Sequence, residues 1–184
     1  DGRQVAAVFQ VRPPAAVRRE LTALQLDRLL GLGIVPATVE REVQGKHGLL
    51  QARPRKWMTQ KQVQEQAVRG GGWCEPQAQF QLIYALDTLV GNQARHGESL
   101  VWDTEDWIIY STSFAQAFDS SRGLPGYLQA RPPVAGVELR RRLAALDDKA
   151  LAGALGDSLP PGARRAILAR KDALLALPAA ASAR

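Results

Sequence analysis

The sequence predicts an α+β fold in two lobes, with strands early and helices late. Three features carry this. Residues 4–11 form an apolar, β-prone run, residues 75–90 form a nearly all-apolar helix, and three helical stretches finish the chain. With 184 residues, 46% of them hydrophobic, the chain can bury one real core, or one large lobe with a small one attached.

Taken in order, residues 4–11 read as a buried strand that Pro13-Pro14 ends. Residues 15–30 read as a helix, because Val17, Leu21, Leu24, Leu29 and Leu30 make a wide apolar stripe. Gly31 and Gly33 stop it. Two short strands at 37–43 and 49–53 follow, turning at Gln44-Gly45. The next stretch is basic, Gln-rich and then Gly-rich, and reads as a linker with one short helix. Pro76 opens the apolar helix, which is expected at the centre of the core. A polar loop, 91–97, leads to a hairpin of 99–102 and 107–111. Helices are expected near 136–146, 148–155 and 161–177, with a frayed tail beyond Pro178. The domain reading is therefore an N-terminal lobe at 1–53, a linker at 54–74 and a helical lobe at 75–184.

Composition narrows the function. Lys plus Arg is 24 and Asp plus Glu is 18, a net charge of +6. Residues 70–135 nevertheless hold 3 basic and 7 acidic side chains, between two positive ends. An acidic centre disfavours nucleic acid as a partner. Cys74 is the only cysteine, so neither an internal disulfide nor a Cys-based zinc site forms. No apolar run is long enough to span a membrane. No signal peptide is visible, and the compartment stays open.

The loop after the apolar helix reads Gly91-Asn92-Gln93-Ala94-Arg95-His96-Gly97-Glu98-Ser99-Leu100-Val101, and further on comes Ile109-Tyr110-Ser111-Thr112-Ser113-Phe114-Ala115-Gln116-Ala117-Phe118. This resembles the catalytic core of the HipA-like and phosphoinositide-kinase-like families. Their pattern is Gly-Asn-x-Asp-Arg-x-x-x-Asn-Leu-Leu, a hairpin, then Ile-Asp-His-x-x-Ala-Phe. Val5 to Gln10 resembles a strand ending in a nucleotide-gripping Lys, Arg19 to Leu32 the helix after it, and Val35 to Val39 the next strand. The resemblance is collinear over nearly the whole chain. It implies a two-lobed kinase-like fold with a reduced N-lobe and a mostly helical C-lobe, and a bacterial source.

The departures matter as much. Phosphate transfer in this chemistry uses a Lys on the phosphates, one Asp on the attacking hydroxyl, and an Asn and a second Asp on Mg²⁺. The resemblance puts Gln10, Ala94, Ser99 and Ser113 at those four positions. Glu20, Asp87, Asn92, Arg95, His96 and Phe118 remain. A glycine-rich lid before the first strand is missing from the sequence as well. The expectation is a catalytically inactive module without cofactor or metal site. Its partner would be another protein, acidic or part of a larger complex. The alternative is a divergent ATP-dependent phosphotransferase that still binds nucleotide, through Glu20, Asp87, Asn92 and His96. Ala94 and Ser113 are expected to face one another across the old cleft.

Other constellations have plainer readings. Asp87, His96 and Ser99 lack nucleophile-elbow glycines for a triad. Asp103, Glu105 and Asp106 read as an acidic turn rather than a metal cluster. Gly70-Gly71-Gly72 lacks the strand and Lys-Ser/Thr of a phosphate loop and reads as flexible linker. Arg140-Arg141-Arg142 and Arg164-Arg165 read as solvated helix faces. Trp57 and Trp73 suit a partner's surface or the domain's own equally.

Overall fold

The computed structural model describes residues 5–159 and 161–178. The elements are β1 (Ala7–Val11), α1 (Pro14–Leu30), β2 (Thr38–Val43), β3 (Lys46–Ala52), β4 (Trp57–Thr59), α2 (Gln60–Glu65) and α3 (Pro76–Val90), then β5 (Leu100–Asp103), β6 (Ile109–Ser111), α4 (Val137–Ala144), α5 (Asp148–Leu155) and α6 (Pro161–Ala176). The expected start of the first strand at residue 4 and the tail beyond residue 178 lie outside the described residues.

An antiparallel sheet in the order β1-β3-β2 makes the first lobe with α1. Phe9 and Val39 both pair with Leu50, which fixes the register. Gln44 and Gly45 both take positive φ, 52° and 71°, the two-residue turn that suits the twist of a hairpin. Pro14 starts α1, and Gly31 in the left-handed region (φ 60°) ends it. The first strand departs from expectation. It is a half-exposed edge strand, not a buried one, since nothing among the described residues pairs with its outer side. An apolar run of this length does not tell an edge strand from a central one.

A second sheet, β4-β5-β6, forms the floor of the other lobe. Residues 54–74, read as a linker, contribute β4, which pairs Met58 with Trp102, and α2, capped by the reciprocal Thr59 and Gln62 bonds. The glycine run is no free tether. A Cβ on Gly70 would fall 1.8 Å from the Trp107 ring, so its missing side chain lets the backbone lie on that indole.

The core gathers round α3. Ile83, Leu86, Leu89 and Val90 are buried against Leu26 and Leu30 of α1, Trp102 and Ile109 of the hairpin, Phe114, and Ile167 and Leu174 of α6. Gln79 fastens the hairpin to α3. It donates to Trp107 O (2.9 Å) and accepts from Ile109 N (2.8 Å). Backbone carbonyls at and beyond the end of α1 take bonds from the other lobe. Ser111 N donates to Ile34 O (2.8 Å), and Arg142 donates to Leu30 O (2.7 Å) and Gly31 O (2.6 Å) at the end of α1. The expected solvated face at 140–142 is therefore only partly right. Arg141 pairs with Glu138 at the surface, while Arg140 and Arg142 cap the carbonyl ends of other helices.

Candidate functional site

α3 ends one turn after Asp87, and its end sets the site. Gly91 has φ 67°, and Asn92 N returns to Asp87 O at 2.8 Å. A Cβ on Gly91 would meet Arg170 Nη1 at 2.7 Å. The turn directs residues 92–99 back over α3.

Asp87 is wholly buried, and each of its oxygens is bonded. Oδ1 accepts from Asn92 Nδ2 (3.0 Å) and Arg95 Nη2 (2.5 Å); Oδ2 accepts from Arg95 Nε (2.7 Å) and the Tyr127 hydroxyl (2.6 Å). Such a two-pronged pairing is the strong form of the ion pair. Arg95 spends its remaining nitrogen, Nη1, on Ser99 Oγ (3.0 Å), Ser99 O (3.2 Å) and Thr112 O (2.5 Å), and its guanidinium lies 5.2 Å from the centre of the Phe114 ring. Burial, the largest single influence, would lower its pKa, but the Asp87 charge and hydrogen bonds together with Tyr127 outweigh it and raise the pKa. Burial, then the Asp87 charge, pushes the Tyr127 hydroxyl well above its usual range, so it stays a donor.

The four positions that the resemblance assigned to phosphate chemistry lie as follows. Gln10 sits on β1 and accepts from Arg12 Nη2 (2.9 Å). Ser99 is fully buried. Its hydroxyl donates to His96 O (2.7 Å) and accepts from His96 N (3.2 Å) and Arg95. Ala94 and Ser113 come together, lining one cavity of about 170 Å³ with Arg12, Glu20, His96, Ala115 and Gln116. Asn92 reaches both, accepting from Ala94 N and donating to Ser113 O, each at 3.4 Å. Gln10 does not line that cavity; Arg12, two residues along the strand, does.

Glu20 enters the cavity from α1. Its Oε1 accepts from Phe114 N (2.7 Å), and its Oε2 is buried without a partner. Burial raises its pKa, against the opposing pull of the Phe114 N–H and the charges of Arg12 and Arg95. Phe118 takes φ 66° and donates its N–H to Val90 O (2.6 Å), closing the segment after Ser113 onto α3. His96 is exposed and also borders a larger cleft, about 440 Å³, walled by Phe80, Tyr84, Tyr127 and three glutamines.

The alternatives resolve in geometry. Ser99 bonds the backbone of His96, and Asp87 bonds Arg95, so these residues form no relay. Asp103 Oδ1 accepts from the N–H groups of Glu105 (2.9 Å) and Asp106 (3.3 Å), and Glu105 pairs with Lys56, as an acidic turn should. Among the described residues, no three His, Cys, Asp or Glu side chains converge as metal ligands would. Trp73 is 85% exposed, whereas Trp57 packs under Arg53.

Three residues escaped the sequence. Arg12 shares the face of Gln10 by the two-residue period of a strand, a signal that was there to be read. Tyr127 lies in a Pro/Gly-rich stretch without periodicity. Arg170 is fully buried in α6, donating to Leu89 O (3.0 Å) and Asp119 Oδ1 (3.2 Å), where a helical Arg ordinarily reads as surface.

No protein-family model matches this sequence, and no curated protein does. Among solved structures, a Helicobacter pylori proinflammatory kinase, CtkA, aligns with a TM-score of 0.55 over 91% of this chain and 86% of that one, at 11% identity. That likeness does not single out HipA-like or phosphoinositide-kinase-like relatives. It concerns the fold alone, and with the two lobes and the cleft between them it establishes that the chain has a kinase-like fold.

Proposed function

We propose that the chain is a catalytically inactive, kinase-like interaction module or accessory subunit of a larger complex, descended from a HipA-like or phosphoinositide-kinase-like enzyme. One observation carries the reading. The polar groups gathered round the loop that follows α3 are spent on one another. Asp87, Arg95, Tyr127 and Ser99 form a closed network, and the neighbouring positions at Ala94 and Ser113 supply no carboxylate. The cavity there, about 170 Å³, is below the roughly 300 Å³ at which small-ligand pockets begin. Mg²⁺ draws much of its binding from carboxylate charge, and among the described residues Glu20 is the one carboxylate lining that cavity.

A second reading has one observation in its favour. Arg12 and the half-bonded Glu20 line the same cavity, so a displaced cation stands near the acid as the Lys of a working kinase stands near its Glu. That would suit a divergent phosphotransferase. Thermal unfolding of the purified chain with increasing Mg-ATP, and a radiolabelled γ-phosphate transfer assay beside it, separate the two. The module reading expects no rise in the midpoint and no label on the protein, because a ligand raises stability only if it binds the folded state. A dose-dependent, Mg²⁺-requiring rise with labelling overturns it.

A further inference from the structure

The larger cleft, about 440 Å³, falls within the roughly 300–1,000 Å³ of ligand pockets. Two helices line it. Gln77, Phe80 and Tyr84 recur on one face of α3 by the three- and four-residue steps of a helix, and Gln60 and Gln64 do the same on α2. The Phe80 and Tyr84 rings stack with centres 5.9 Å apart and planes at 27°. Tyr127 stands edge-on to Tyr84 at 6.2 Å, and its bond to Asp87 holds it there. This aromatic wall is set before any ligand arrives, which lowers the cost of binding.

The cleft is polar without being charged. No acidic side chain among the described residues lines it. Arg95 does, but Asp87 matches its charge and each of its nitrogens is already bonded. Lys61, beside Gly97 at the rim, pairs with Glu98 (3.3 Å). His96 lines the cleft as an exposed residue. A charged ligand group would lose water here and gain no free counter-charge.

The direction of hydrogen bonding is fixed at one point. Trp102 Nε1 donates to Gln60 Oε1 at 2.6 Å. An indole nitrogen only donates, so this bond ties down the amide oxygen and leaves the amide NH₂, with its two donors, to the cleft. Gln64 and Gln77 add two exposed amides. A ligand suited to these walls is neutral, sets apolar faces on the rings and turns acceptors to the glutamines. A polyproline II segment does all three. Its carbonyls have no partner within the segment, and its prolines carry no N–H that would need an acceptor. From Gln77 to Tyr84 the helix rises about 10 Å, close to the ~9 Å of one polyproline II turn. A sugar chain would bring hydroxyls that must donate as well, and no described carboxylate lines the cleft to accept from them.

We propose that this cleft docks an uncharged, proline-rich segment of a partner protein in the polyproline II conformation. Prolines pack on Phe80, Tyr84 and Tyr127, and Gln60 donates to a carbonyl between them. The inference gives the interaction role proposed above its surface and rests on that reading.

The test uses the whole chain and a capped, fluorescein-labelled decaproline peptide, read by anisotropy, with a glycine–serine peptide of the same length as control. Decaproline is expected to bind saturably and at least tenfold more tightly than the control. Tyr84→Ala removes the middle ring and should weaken binding about tenfold. Gln60→Glu keeps an oxygen for Trp102 but replaces both donors by an acceptor, and should weaken binding as much. Its carboxylate falls in the first turn of α2, where a negative charge is tolerated, so the fold is kept. Circular dichroism checks that each variant is folded. Absence of saturable binding up to ~1 mM overturns the proposal. So does equal binding of the glycine–serine peptide, undiminished binding by either folded variant, or a neutral glucan, maltohexaose, binding where decaproline does not. Phosphate transfer is read separately on the same sample. Transfer with peptide binding overturns inactivity and leaves the docking cleft, while neither transfer nor binding removes the docking cleft alone.

Discussion

Asp87 and Glu20 are both carboxylates buried at the cleft, one below it on α3 and one above it on α1. Asp87 is 0% exposed and accepts four hydrogen bonds, two of them from an arginine gripping both oxygens. Glu20 is 4% exposed, has one backbone donor, and leaves an oxygen unbonded. The difference teaches what each half of the cleft is built for. Below, buried charge is neutralised locally and works as a clamp on the loop. Above, burial is not matched by partners, and the acid is held at a cost to the fold. A group left under-satisfied in a native structure marks a place shaped by something besides stability.

The comparison predicts opposite signs for mutations above and below. Arg95→Ala leaves Asp87 buried and unpaired and frees Ser99 and Thr112 from their shared donor. It should cost about 3–5 kcal/mol in urea unfolding, the scale for breaking one side of a buried pair. A loss under ~1 kcal/mol would show that the network is ornament, not clamp. Next comes the pair Ala94→Asp and Ser113→Asp, which restores two carboxylates around one small cavity already holding Glu20. The double variant should lose about 1–3 kcal/mol, because like charges brought together destabilise one another, and Mg²⁺ should recover part of it. Positive φ at Ser113 (67°) is no obstacle, as Asp tolerates that region better than most residues. If the double variant is as stable as the parent with and without Mg²⁺, the two positions do not share a site.

The smallest effect has the reverse sign. Glu20→Gln keeps an acceptor for Phe114 N and removes the buried charge, so it should stabilise by about 1 kcal/mol at pH 7. Burial holds the Glu20 carboxyl above its ordinary value of 4.5, so the folded state binds that proton more tightly than the unfolded one. Stability therefore falls as pH rises from the ordinary value through the raised one, and above it the penalty is complete. The gain from Glu20→Gln should shrink as pH drops towards 4. A gain that grows in acid would break the contrast with Asp87.

Much of the fold could be read from the sequence, for local reasons. Pro14 and Gly31 bracket α1, Gln44-Gly45 forces the first hairpin turn, and the apolar circumference of residues 76–90 puts α3 at the centre of the core. These depend on backbone sterics and periodicity, which act within a few residues. β4 was missed because three residues, Trp57 to Thr59, carry no alternation, and they are a strand only because β5 offers a ladder. The glycines at 70–72 read as a tether because the Trp107 ring beneath them is distant in sequence.

The sequence by itself determined that Ala94 and Ser113 bring no carboxylate, wherever they lie. Through the family resemblance it also marked Asp87, Asn92 and Arg95, with Glu20, His96 and Phe118, as retained positions. Only the tertiary structure decided what Asp87 is attached to, through Tyr127 forty residues on, and that Glu20 keeps an unbonded oxygen. Pairing, burial and satisfaction of a polar group depend on neighbours brought from far along the chain, and no local pattern of residues encodes them.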